Sequence, residues 1–179
     1  ASMSQKKHDF IASHVRAFRF YNGVTEVLVP DNLKSAVTRA SWYDPDINES
    51  YQDMADHYGT VVLPARPYKP KDKSKAELSV KLVQRWILAR LRHRQFFSLH
   101  ELNEAIWELL DDLNNRKMRH LNKSRRELFE ELDQPALKAL PERTYIYRDF
   151  KDCKVNIDYH IFLEKDLYSV PYQLAGEVV

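Results

Sequence analysis

Over residues 5–22 apolar side chains recur at helical spacing. Ile11, Val15 and Phe18 line one stripe that runs on to Asn22, and Phe10, His14, Ala17 and Tyr21 line the next. The pattern predicts an opening helix stopped at Gly23. A short apolar run, Glu26 to Val29, ends at Pro30 and predicts a buried strand, with Asp31 directly after it. Residues 32–39 read as a short helix, and Tyr43-Asp44-Pro45-Asp46 as a turn, with Asp46 capping a helix that reaches His57. Gly59 ends that helix and Thr60 to Leu63 repeats the strand pattern. Pro64, Pro67 and Pro70 then hold an extended connector.

Residues 74–94 carry the strongest helical pattern, with Ala76, Val80, Val83, Ile87 and Leu91 on one stripe. Ser98 with Glu101 three residues on reads as a capping box, and Leu102, Ile106, Leu109 and Leu113 continue the period. Residues 124–132 form a shorter helix, and Pro135 and Pro141 bracket a linker. After Thr144 the period becomes two: Val155, Ile157, Tyr159, Ile161 and Leu163 share one side of a strand, and residues 167–172 pair back after a turn at Glu164-Lys165-Asp166. The expected architecture is α/β, followed by a helical connector and a small antiparallel β-domain.

Composition narrows the function. The 179 residues carry a net charge of only +2, yet ten basic residues face Asp72 and Glu77 between positions 64 and 94, a local balance of +8. An acidic stretch at 44–56 precedes it. A second, at 97–113, is followed by six bases and no acid at 114–126. A block of +8 suits a polyanion, because each cation that neutralises a phosphate releases a counterion. The competing reading is a solvated helix face laced with ion pairs, weakened here by the shortage of acids inside the block. Three isolated glycines argue against a glycine-rich phosphate loop, and the single Cys153 excludes a disulfide framework or a cysteine-rich zinc site. No apolar run approaches a membrane span and the start lacks a signal-peptide core, so a cytoplasmic location is expected.

Two carboxylates stand out. Asp31 follows the C-terminal end of a strand, where α/β sheets present ligand-binding groups; its bland role is a helix N-cap. Glu77 lies in the first turn of the long helix, with Lys73, Lys81 and Arg85 on its face; its bland role is a helix-dipole acid paired with Lys73 or Lys81. A carboxylate on an otherwise basic face fits a divalent metal and the phosphate bound to it. Trp42 and Tyr43 are weaker candidates for DNA contact, while Trp86 and Trp107 read as core.

The run Val27-Leu28-Val29-Pro30-Asp31-Asn32-Leu33-Lys34, together with Pro67-Tyr68-Lys69-Pro70-Lys71-Asp72-Lys73-Ser74-Lys75-Ala76-Glu77, resembles the catalytic core of DDE transposases and integrases. The IstA-type insertion-sequence transposases are the nearest match. The opening Gln5-Lys6-Lys7-His8-Asp9-Phe10, Arg85-Trp86-Ile87-Leu88-Ala89-Arg90-Leu91-Arg92 and the closing Val155-Asn156-Ile157-Asp158-Tyr159-His160 and Tyr168-Ser169-Val170-Pro171-Tyr172 are similar to that family too.

The resemblance implies a ribonuclease H-like fold in which three acids hold two Mg²⁺ ions. Asp31 would be the second acid and Glu77 the third, with Lys69, Lys71, Lys73, Lys75, Lys81 and Arg85 on DNA phosphates. Leu33 departs from the glycine many integrases have there. The family's first acid lies on a three-strand meander before the opening helix, and no such strands occur here. The expectation is therefore a fragment: residues 1–95 the later part of a ribonuclease H-like domain, 96–141 a helical extension and linker, 142–179 the start of a β-domain. Such a fragment would be inactive alone. In the whole protein the resemblance implies bacterial DNA strand cleavage and transfer, oligomers on transposon ends and target DNA, and a helper ATPase. Two rivals are a non-catalytic nucleic-acid-binding or assembly module and a helical protein-binding module using the acids from Glu101 to Asp112.

Overall fold

The two apolar runs predicted as strands do pair, in parallel. Strand β1 (Val27–Leu28) and strand β4 (Val61–Val62) set Val27 opposite Val61 and Leu28 opposite Val62. The ladder runs past both named strands, with the amides of Val61, Leu63 and Ala65 donating to the carbonyls of Glu26, Leu28 and Pro30 at 2.9–3.0 Å. The structure, a computed structural model, describes every residue except Asn32, Lys34, 40–45 and 66–73, and the backbone alone at Thr38, Arg39, Ser74 and Lys75.

Parallel strands need a crossover. Helix α2 (Glu49–Tyr58) lies on it, after an antiparallel pair of β2 (Val37–Arg39) with β3 (Asp46–Ile47). Two expectations are corrected here. The short helix over 32–39 is replaced by a turn, with Ala36 and Val37 amides donating to the Leu33 carbonyl, and then by β2; β-branched Val37 and Thr38 favour the extended form. Asp46 sits in β3 rather than capping α2, whose N-cap is Asn48.

Helix α1 (Lys7–Tyr21) buries Ile11, Val15 and Phe18 against Tyr51, Met54, Ala55 and Tyr58 of α2 and against Val62. Its stop is one residue earlier than predicted: Asn22 takes the left-handed conformation at φ 51°. Gly23 serves a different purpose. A Cβ there would stand 2.7 Å from the Leu137 Cβ and 3.2 Å from the Lys138 carbonyl, and next to it Val24 and Lys138 exchange backbone hydrogen bonds at 2.9 Å. The segment around Pro141 is held onto this core. Lys138 Nζ donates to the Gly59 carbonyl at 2.8 Å, and the buried Tyr145 donates to Asp53 Oδ2 at 2.8 Å.

Helix α3 (Ser74–Val83) continues through a π-helical segment (Gln84–Leu88) into α4 (Ala89–Leu91). Only the last part of the predicted stripe is buried. Ile87 and Leu91 pack with Ala105 of α5 (Leu99–Asn115), whereas Val80 is 55% exposed and Val83 36%. The buried cluster with α5 takes Trp86, Ile87 and Leu91 from this helix. Ser98 caps α5 by accepting from the Glu101 amide at 3.1 Å, and Glu101 reaches back to the Phe97 amide. The complete capping box belongs to Ser124 and Glu127, at the start of α6 (Arg125–Leu128). These elements belong to a unit spanning Ala1–Tyr147.

The second unit, Arg148–Val179, contains the hairpin of β5 (His160–Leu163) and β6 (Asp166–Ser169), with Glu164 at φ 58° in the turn. The long alternating strand predicted from Val155 is broken by Tyr159 at φ 65°. Val155 is therefore buried against the chain end while Ile157 is 91% exposed. The fold is mixed α/β. Among the described residues no helix is long and apolar enough to cross a membrane.

Candidate metal and DNA-contact site

Asp31 follows Pro30, whose carbonyl accepts from the Ala65 amide at 3.0 Å in continuation of the parallel ladder. It therefore sits just past the C-terminal end of the β1/β4 pair, exposed, where strand carbonyl ends and the following turn open to solvent. The N-cap role does not apply, because a turn and then a strand follow it rather than a helix. Behind it the backbone is fixed: Ser35 is buried and donates to the Gln5 carbonyl at 2.9 Å, and Ala36 and Val37 lie in the core. Asn32, beside Asp31, lies outside the described residues.

Glu77 is exposed in the first turn of α3, and among the described residues it carries no hydrogen bond or ion pair. Lys81 and Arg85 follow at four-residue steps, both exposed, so a cationic row continues from the carboxylate along one helix face. The pairing of Glu77 with Lys81 that a purely structural role would use is not formed. Lys69, Lys71 and Lys73 lie outside the described residues, as do Trp42, Tyr43 and the side chain of Lys75. No described contact joins Glu77 to Asp31, and among the described residues no three metal-ligating side chains come together.

Sequence reasoning missed a charged cluster at the junction of the two helical stretches. Trp86, expected in the core, is half-buried and has two guanidinium groups over its ring, Arg90 at 3.9 Å and Arg116 at 4.4 Å from the centroid. Its indole N–H donates to Asp112 Oδ2 at 3.2 Å, and Arg90 Nη1 donates to the same oxygen at 3.1 Å. The available signal was the four-residue spacing of Trp86 and Arg90. Arg116 is far in sequence and arrives only through the antiparallel return of α5.

An acid just past a parallel strand pair and an acid on a cationic helix occur here in a chain similar to proteins named as transposases of insertion sequences. A Sinorhizobium fredii protein named as a putative transposase is 54% identical over 176 residues, covering 98% of this chain. A Burkholderia multivorans protein named as a transposase for insertion sequence IS408 is 50% identical over the whole chain. The transposase of IS21 from Pseudomonas aeruginosa is 28% identical, again over the whole chain. The chain spans about a third of the first two relatives' length (34% and 35%) and 45% of the third. No family model matches it.

Proposed function

We propose that this chain is a section of an insertion-sequence transposase that supplies two carboxylates, Asp31 and Glu77, to a two-metal site for DNA strand cleavage and joining. The observation that carries the reading is the position of Asp31, just past the C-terminal end of the paired strands β1 and β4, in a chain similar to proteins named as transposases.

The donor chemistry fits Mg²⁺. Both candidates are hard carboxylate oxygens, both are exposed, and Glu77 is not consumed by a neighbouring cation among the described residues. Asp31, Glu77 and a third acid from outside this chain would hold the ions, which when bound activate the attacking oxygen and stabilise the leaving one. The chain's own cations have a separate task. Lys81 and Arg85 hold the phosphodiester electrostatically and keep the strand in register with the carboxylates.

Uncovered apolar surface supports the same assembly. Val27, Val29, Val61 and Leu63 project from one side of the parallel pair at 37–54% exposure, and Leu78, Val80 and Val83 of α3 are similarly open. A parallel sheet with a bare face is rare, because such sheets are normally covered on both sides. Each side chain stabilises by about 1.5–3 kcal/mol when fully buried, so covering this face in the full-length protein is favoured. DNA ends and target as substrates, oligomers on DNA and a helper ATPase are part of this proposal.

The rival, a non-catalytic DNA-binding or assembly module, is favoured by one observation: no three metal ligands converge among the described residues. Binding of Mn²⁺ to the full-length protein separates the two. The catalytic reading expects Asp31→Asn and Glu77→Gln each to lose bound ion; unchanged binding in both supports the rival.

A further inference from the structure

We infer that the Trp86 cluster and the loop following it form a second surface for the phosphate backbone of duplex DNA, separate from the metal carboxylates. In naming DNA the inference rests on the transposase reading. The charge argument itself comes from the cluster.

Two guanidinium groups stack on Trp86, and one carboxylate, Asp112, serves both the indole N–H and Arg90. Asp111, the neighbouring acid, is engaged by Arg126 at 2.6 Å and by Asn115. Asp111 and Asp112, the two acids nearest the end of α5, are thus taken before the basic loop begins. Arg116 is held by the ring and not by an acid. Lys117 and Arg119 come next, exposed and with no ion pair among the described residues. The loop is not a loose tail: the Met118 amide donates to the Lys123 carbonyl at 2.9 Å, and the amides of Leu121 and Asn122 both donate to Met118. Lys123 is pinned by Glu131.

Packing α4 against α5 therefore joins two basic stretches that an acidic helix separates in sequence. The result brings together Arg90, Arg116, Lys117 and Arg119, four cations set against Asp112, which pairs with Arg90, and Glu127, which attracts Lys117, so positive charge is in excess. Arg90 spends one N–H on Asp112, whereas the Arg116 guanidinium lies over the ring with no side-chain hydrogen bond among the described residues, which suits bidentate contact with phosphate oxygens. No base-reading group is needed, so the contact is independent of sequence.

The test is binding of the full-length protein to a short duplex of arbitrary sequence, in EDTA, across a salt series. Lys117→Ala with Arg119→Ala, and separately Arg116→Ala, are expected to weaken binding and to lower the slope of log K against log salt by roughly 0.9 per lost phosphate contact. The metal reading is tested by Mn²⁺ binding and this inference by DNA binding in EDTA, so failure of one is distinguishable from failure of the other. Unfolding midpoints report whether each variant is folded, and the doubly substituted loop, exposed throughout, serves if Arg116→Ala does not fold. An unchanged slope in the folded loop variant overturns the inference. Competition by polyglutamate as effective as that by DNA also overturns it, and points to an acidic protein instead.

Discussion

Val27 of β1 stands opposite Val61 of β4 in parallel register, and both side chains are exposed, at 37% and 53%. Their partners one position on, Leu28 and Val62, turn into the core formed by α1 and α2. The alternation gives this short sheet one covered face and one bare apolar face, which sets the first prediction. In the full-length protein Val61→Lys should destabilise by about 1–3 kcal/mol, the cost expected of a buried position. Denaturant unfolding measures it; a change within about 0.5 kcal/mol, typical of a true surface site, would mean that nothing covers this face.

Gly23→Ala should destabilise by about 1–3 kcal/mol through overpacking, since the new Cβ meets the Leu137 Cβ at 2.7 Å. The loss should appear as a lower thermal midpoint and as faster hydrogen exchange at the Val24 and Lys138 amides, whose bonds form the adjoining bridge.

His14 makes stability depend on pH. Its Nδ1–H donates to the Phe10 carbonyl at 2.9 Å, Nε2 accepts from the buried Tyr51 hydroxyl at 3.2 Å, and burial holds its pKa below the ordinary 6.5. Burial also pushes the Tyr51 hydroxyl up, so it stays a donor. Below pH 6.5 the unfolded chain therefore binds a proton that the folded chain refuses. Stability is complete above that value and falls as pH drops toward the folded pKa, by at most about 1.4 kcal/mol per pH unit. Denaturation midpoints between pH 7.5 and 5.5 should show the decline, and His14→Gln should flatten it.

These positions show what was legible in the sequence. Periodicity located α1, α5 and the two parallel strands, because amphipathic spacing and short apolar runs report directly on burial. The end of α1 was displaced by one residue because Asn22, one of the few non-glycine residues tolerated in the left-handed conformation, takes it in place of the expected glycine. The stripe of α3 was legible as a pattern but not as packing: Val80 and Val83 have the spacing of core residues without the core. The helix over 32–39 failed because turn bonds to Leu33 and pairing with β3 outweigh local propensity. Asp31 was legible from its place after a strand. The stacking of Arg116 on Trp86 was not, since it depends on how two helices return past one another.

The central claim is that Asp31 and Glu77 act at one metal site. Strand transfer by the full-length protein, assayed with Mg²⁺ on a DNA end substrate, tests it most directly. Asp31→Asn and Glu77→Gln should each lower the rate by on the order of a thousandfold while leaving DNA binding in EDTA intact. The double variant should be no slower than either single, because both remove the same ions. Near-parental strand transfer by either folded variant would contradict the account.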